Sequence, residues 1–187
     1  MSKLPTVAII GQANVGKSSL FNRLTRSRTA IVAREAGTTR DNVVGKVSYK
    51  RRNVGSTPSD DYSQFWLIDT AGLKTAEDEF EATIQDQIAD ASAAADVILV
   101  TVDSTAYPSD ADRQLAKKAL KSGKPVILIA NKADLKGSLS IDEFKRLGIK
   151  NIIKTSAEHS IGISELLDSI AELIPPATET APDDIIR

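Results

Sequence analysis

The chain has 187 residues, and its 24 Lys+Arg against 25 Asp+Glu leave a formal charge of −1. At 41% hydrophobic and 26% charged it has the composition of a globular domain long enough to bury a core, not that of a disordered tail. With no cysteine and one histidine, a disulfide framework, a zinc knuckle and a thiol nucleophile are excluded, and the balanced charge argues against a domain devoted to coating a phosphate backbone.

In chain order, Met1–Pro5 leads into an apolar run without a signal-peptide core, so a cytoplasmic location is expected. Val7–Ile10 is the first of several short, β-branched apolar runs, too short for a membrane span, which needs roughly 18–20 residues. Ser18–Leu24 opens a helix with Leu20, Phe21 and Leu24 on one face. Residues 42–69 hold two strands with no helix between them, hence an antiparallel pair, joined by a long polar connection over 51–61. A helix is predicted over about Glu79–Ala94, a strand at Val97–Val102, a helix at Asp110–Lys121, and strands at Val126–Ile129 and Ile152–Ile153. Ile163, Leu166, Leu167, Ile170 and Ile174 then mark an amphipathic helix.

Runs that are apolar throughout suit strands covered on both faces, and strands alternating with helices read as an α/β fold. The predicted architecture is a doubly wound, mostly parallel six-stranded sheet with one antiparallel strand and helices on both faces, over residues 1–174. Residues 175–187 begin Pro175-Pro176, turn acidic, and read as a linker. In such a sheet, ligands bind at the carboxyl ends of the strands.

The first strand runs into Gly11-Gln12-Ala13-Asn14-Val15-Gly16-Lys17-Ser18, a full G-x-x-x-x-G-K-[ST] match placed between strand and helix. Glycines let successive backbone N–H groups turn inward onto phosphate oxygens while the next helix aims its positive end at the anion. This spacing puts Lys17 on the β- and γ-phosphates and the Ser18 hydroxyl on Mg²⁺, with Ser19 following. The loop makes the fold a P-loop NTPase but leaves ATP and GTP both open. Asn131-Lys132-Ala133-Asp134 follows the strand Val126–Ile129. There a carboxylate can accept from guanine N1–H and the exocyclic amine, which adenine cannot match, and a site built on such bonds rejects the wrong ligand by roughly 10⁴–10⁵.

Together with Thr38-Thr39, Asp69-Thr70-Ala71-Gly72 and Ser156-Ala157-Glu158, these motifs resemble the translation-factor class of P-loop GTPases over residues 4–174. Asn14–Ser18, Gly37–Asp41 and Asp69–Gly72 narrow the resemblance to the bacterial Era-like group (EngA or Der, MnmE or TrmE, Era, FeoB). Ser156–Asp168 and Gly11–Thr25 are most similar to the first GTPase domain of the EngA type. The resemblance implies that Thr39 ligates Mg²⁺ and senses the γ-phosphate, that Asp69 holds Mg²⁺ through water, and that the Gly72 N–H meets the γ-phosphate. It also implies that Asn131 braces the loop, that Lys132 lies along the base, and that the Ala157 N–H meets guanine O6. EngA-type proteins carry two tandem GTPase domains and a KH-like domain and assist assembly of the large ribosomal subunit. The chain then reads as a first domain followed by a second, with ribosomal or rRNA contact made through the full-length protein.

Leu73 stands where Ras-like members have a glutamine that orients the attacking water. Charge neutralisation then comes from elsewhere, and in relatives the counterpart of Asn14 helps bind K⁺ beside the phosphates. The rival readings are a GTPase domain of an MnmE-type tRNA-modifying protein and a module that holds GDP or GTP without useful hydrolysis. His159 reads as a solvated loop residue, Trp66 as packing, and Lys50-Arg51-Arg52 as a solvated charged loop.

Overall fold

The computed structural model describes residues 4–26, 32–34, 43–50, 62–70, 88–89, 91 and 93–174. The strands are β1 (Thr6–Gly11), β2 (Val32–Arg34), β3 (Val43–Lys50), β4 (Tyr62–Asp69), β5 (Val97–Asp103), β6 (Val126–Asn131) and β7 (Asn151–Lys154). They form one seven-stranded sheet in the order β2-β3-β4-β1-β5-β6-β7. β3 runs antiparallel to both its neighbours, and β4, β1, β5, β6 and β7 are mutually parallel. The one expected antiparallel strand is therefore β3. The six expected strands are all present, and the three-residue β2 adds a seventh at the sheet edge, too short to leave an apolar run in the sequence.

Helices α1 (Lys17–Arg26), α2 (Asp110–Lys121), α3 (Ile141–Phe144) and α4 (Ile163–Leu173) cover the sheet. Adjacent residues of one strand point to opposite faces, so every central strand feeds two cores. Ile9, Leu99, Ile127 and Ile129 pack with Leu20, Phe21 and Leu24 of α1 and Leu166, Leu167 and Ile170 of α4. On the other face Ile10, Ile98, Val100 and Leu128 pack with Leu115, Ala116 and Ala119 of α2. Double coverage is why these strands read as apolar throughout.

Two helices show how local chemistry sets their ends. Ser109 accepts from the Asp112 N–H while Asp112 accepts from the Ser109 N–H, a reciprocal cap that starts α2 where predicted. α3 and the 3₁₀ turn Lys145–Leu147 were not expected. Ser140 caps α3, and buried Phe144 and Leu147 anchor it, but four residues carry too little periodicity to register. The predicted helix Glu79–Ala94 is described only from Ile88, where the described residues are helical, and the 51–61 connection and the 175–187 linker lie outside the described residues.

Leu99 is fully buried in the central strand, whereas Leu120 on α2 is 43% exposed. Leu99→Ala is expected to cost about 2–5 kcal/mol of unfolding free energy by urea titration, and Leu120→Ala under about 1 kcal/mol. Equal losses would contradict this burial pattern.

Candidate functional site

The carboxyl ends of β1, β4, β5 and β6 bring Gly11, Asp69, Asp103 and Asn131 to one edge of the sheet. From Gly11 the chain curls through left-handed residues at Asn14 (φ 65°) and Gly16 (φ 94°) into α1. Such changes of hand turn successive N–H groups toward a common centre, and the amino end of α1 adds its positive dipole there. Both flanking glycines are required by close approach: a Cβ at Gly11 would stand 2.5 Å from Thr101 O, and one at Gly16 only 2.3 Å from Asn131 Nδ2.

Lys17 is buried, and its ammonium donates to Gly11 O at 2.8 Å and to Gln12 O. Burial pushes its pKa below the ordinary value, and the nearby Asp69 carboxylate partly offsets that. Ser18 Oγ donates to Asp69 Oδ2 at 3.3 Å, so hydroxyl and carboxylate are already side by side. Two hard oxygen donors from the loop helix and from β4 suit Mg²⁺. Thr70 is occupied structurally, its hydroxyl donating to Ile9 O at 2.9 Å. Ala13, Asn14, Ser18 and Ser19 are exposed, and Val15 is buried behind them. Thr39, Ala71, Gly72 and Leu73 lie outside the described residues.

Asn131 joins the two halves of the site. Its Nδ2 donates to Val15 O at 3.0 Å, and its Oδ1 accepts from Thr155 Oγ1 at 3.0 Å and from the Ala157 N–H at 3.3 Å. The amide that the resemblance assigns to guanine O6 is thus engaged from inside by Asn131. Lys132, with φ 66°, donates to Asn14 O at 2.6 Å and to Asp103 Oδ2 at 2.8 Å. Burial works against ionisation of Asp103, but hydrogen bonds from Lys132 and Thr105 outweigh it and hold the carboxyl below its ordinary pKa.

Asp134 is only partly exposed at the side of the 156–161 loop, which closes on itself through Ser156 N–H to Ile161 O and Ile161 N–H to Ser156 O. The Ser156 hydroxyl holds the Asp134 carboxyl below its ordinary pKa, and His159 Nε2 lies 3.4 Å from Asp134 Oδ2. His159 is mostly exposed, as expected, but stands beside the candidate base-reading carboxylate and not in open solvent alone.

Sequence reasoning missed Asp103, Thr155 and Arg23. Asp103 and Thr155 belong to no motif, Arg23 lies in the Gly11–Thr25 stretch without a role assigned to it, and each is found only through a partner in a motif. Gln12 was expected as a loop residue only. Its side chain also donates to Ser109 Oγ at 2.7 Å and to Asp112 Oδ1 at 2.6 Å, tying the loop to the cap of α2.

Residues 6–132 match the family model for the 50S ribosome-binding GTPase. The chain belongs to that family. This GTPase domain is 42% identical over 171 residues to the GTPase Der of Porphyromonas gingivalis, covering 90% of this chain and 37% of that relative. Among the curated relatives it matches, the chain spans 36% to 40% of their length. Its fold superposes on Aquifex aeolicus Era bound to GDP·AlF4− with a TM-score of 0.68 at 28% identity, covering 98% of this chain and 61% of Era. A second Era structure, in complex with MgGDPNP and nucleotides 1506–1542 of 16S ribosomal RNA, gives 0.66 at 26% identity over 99% of this chain and 61% of that one. By family and fold the chain is an Era-like GTPase domain. Among the described residues, no helix is long and apolar enough to cross a membrane.

The Asp134 carboxyl has a lower pKa in the folded chain than when unfolded. Its bond to Ser156 therefore stabilises the fold above the unfolded value of about 3.9 and is lost as pH falls through the folded one. Ser156→Ala should lower the thermal midpoint at neutral pH, with part of that difference vanishing below about pH 4. A difference independent of pH would contradict the pairing.

Proposed function

We propose that this domain is the GTP-driven switch of a longer protein that assists assembly of the large ribosomal subunit. Support comes from the family's description and from relatives named GTPase Der. The observation that carries the nucleotide part is the bracing of the phosphate loop and the Asn131–Asp134 motif by one buried amide. In this reading residues 1–174 form the switch, the 175–187 segment is a linker toward a second GTPase domain, and ribosomal RNA is met through the full-length protein.

The roles follow from the chemistry of each group. The backbone of Gly11–Ser18 encloses the phosphates, and Lys17, already donating to loop carbonyls, supplies the charge on the β- and γ-phosphates. Ser18 and Asp69 would hold Mg²⁺, with Thr39 as the further ligand; the ion neutralises charge on the bridging phosphate oxygens when bound. Asp134 accepts from guanine N1–H and the amine, Lys132 lies beside the base, and Ser156–Glu158 closes over it. Leu73 offers no hydrogen bond to the attacking water, so positioning falls to backbone groups such as the Gly72 N–H, and charge compensation to K⁺ held by Asn14. Ordering of Thr39 and Gly72 by the γ-phosphate, and their release on hydrolysis, makes the switch.

Phosphate release from Mg²⁺·GTP, measured at equal ionic strength in KCl and in NaCl, tests this. Faster release in KCl is expected, with Lys17→Ala lowering it at least ~10²-fold in both salts. Equal rates in the two salts would remove Asn14 from ion binding, and an undiminished Lys17→Ala rate would remove Lys17 from the phosphates.

A further inference from the structure

We infer that Arg23 is a positioning residue for guanine recognition, coupling the helix that follows the phosphate loop to the loop that closes over the base. The inference rests on reading Asp134 and Ser156–Glu158 as the guanine site. Arg23 lies on α1, and its side chain crosses to the loop after β7, where Nε donates to Ala157 O at 2.6 Å and Nη2 to Glu158 O at 2.7 Å. Among the described residues it pairs with these two carbonyls and with no carboxylate.

One rigid guanidinium thereby fixes two consecutive peptide planes. A trans peptide directs its N–H opposite to its C=O, so anchoring Ala157 O turns the Glu158 N–H away from α1, and anchoring Glu158 O does the same for the His159 N–H. That second N–H donates to Ser156 Oγ at 3.1 Å, the same hydroxyl that holds Asp134. From the inner side, Asn131 Oδ1 takes the Ala157 N–H. The loop is clamped between a buried amide and a charged fork. The fork is mounted on the helix that begins with Lys17 and Ser18, so the base and phosphate halves of the site are linked a second time. Lysine cannot replace it, because a single ammonium on a flexible stem does not fix two carbonyls in one plane.

The test titrates the 187-residue chain and its Arg23→Ala and Arg23→Lys variants with GDP, ADP and inorganic pyrophosphate, using displacement of a fluorescent GDP and thermal midpoints as the check on folding. Arg23→Ala is expected to weaken GDP at least ~10-fold, to leave pyrophosphate within ~2-fold, and to lower the GDP-over-ADP preference. Arg23→Lys should stay within ~3-fold of Arg23→Ala. Unchanged GDP affinity, equal weakening of GDP and pyrophosphate, or full rescue by lysine would overturn the inference. A parent chain showing no preference for GDP over ADP would instead overturn the guanine reading on which it rests.

Discussion

A buried side-chain amide is the constraint on which the rest of the site depends. Asn131 is 2% exposed, and an amide in such a place must satisfy its donors and acceptor within the protein. It does so by donating to Val15 of the phosphate loop and accepting from Thr155 and Ala157 beyond β7. Gly16 has to be glycine because this amide occupies the space where a Cβ would go. Removing the amide would leave three buried backbone or hydroxyl groups short of partners, which costs more than the bonds themselves contribute in water. Three chain segments far apart in sequence therefore share one geometry.

Electrostatics reinforces that geometry instead of opposing it. The Lys17 ammonium is desolvated yet lies near the Asp69 carboxylate, and Lys132 is partnered by Asp103 on the neighbouring strand. Each cation has an anion on the adjoining strand end, so neither stands as an isolated ion. The chain's overall charge of −1 hides this arrangement.

Much of the architecture was legible because the sheet is covered on both faces. Val97–Val100 could be apolar throughout only in a strand with two cores, and α2 ended where Ser109 and Ser122 end it. The phosphate loop and the Asn131–Asp134 motif were legible because their chemistry depends on spacing along the chain. What escaped was short or tertiary. β2 and α3 are only three and four residues long, too short to make a pattern, and Arg23, Asp103 and Thr155 act through partners more than 20 positions away or across strands. Nothing local to Arg23 distinguishes it from a solvated helix arginine; only the fold brings Ala157 and Glu158 to it.

The central claim is that one pre-braced site reads the phosphates and a guanine base together. Calorimetric titration of the chain with GDP and with ADP in the presence of Mg²⁺ tests it most directly. The account predicts GDP binding at least ~10³-fold tighter than ADP, because Asp134 loses both of its donors on adenine. Equal affinities for the two nucleotides would contradict it.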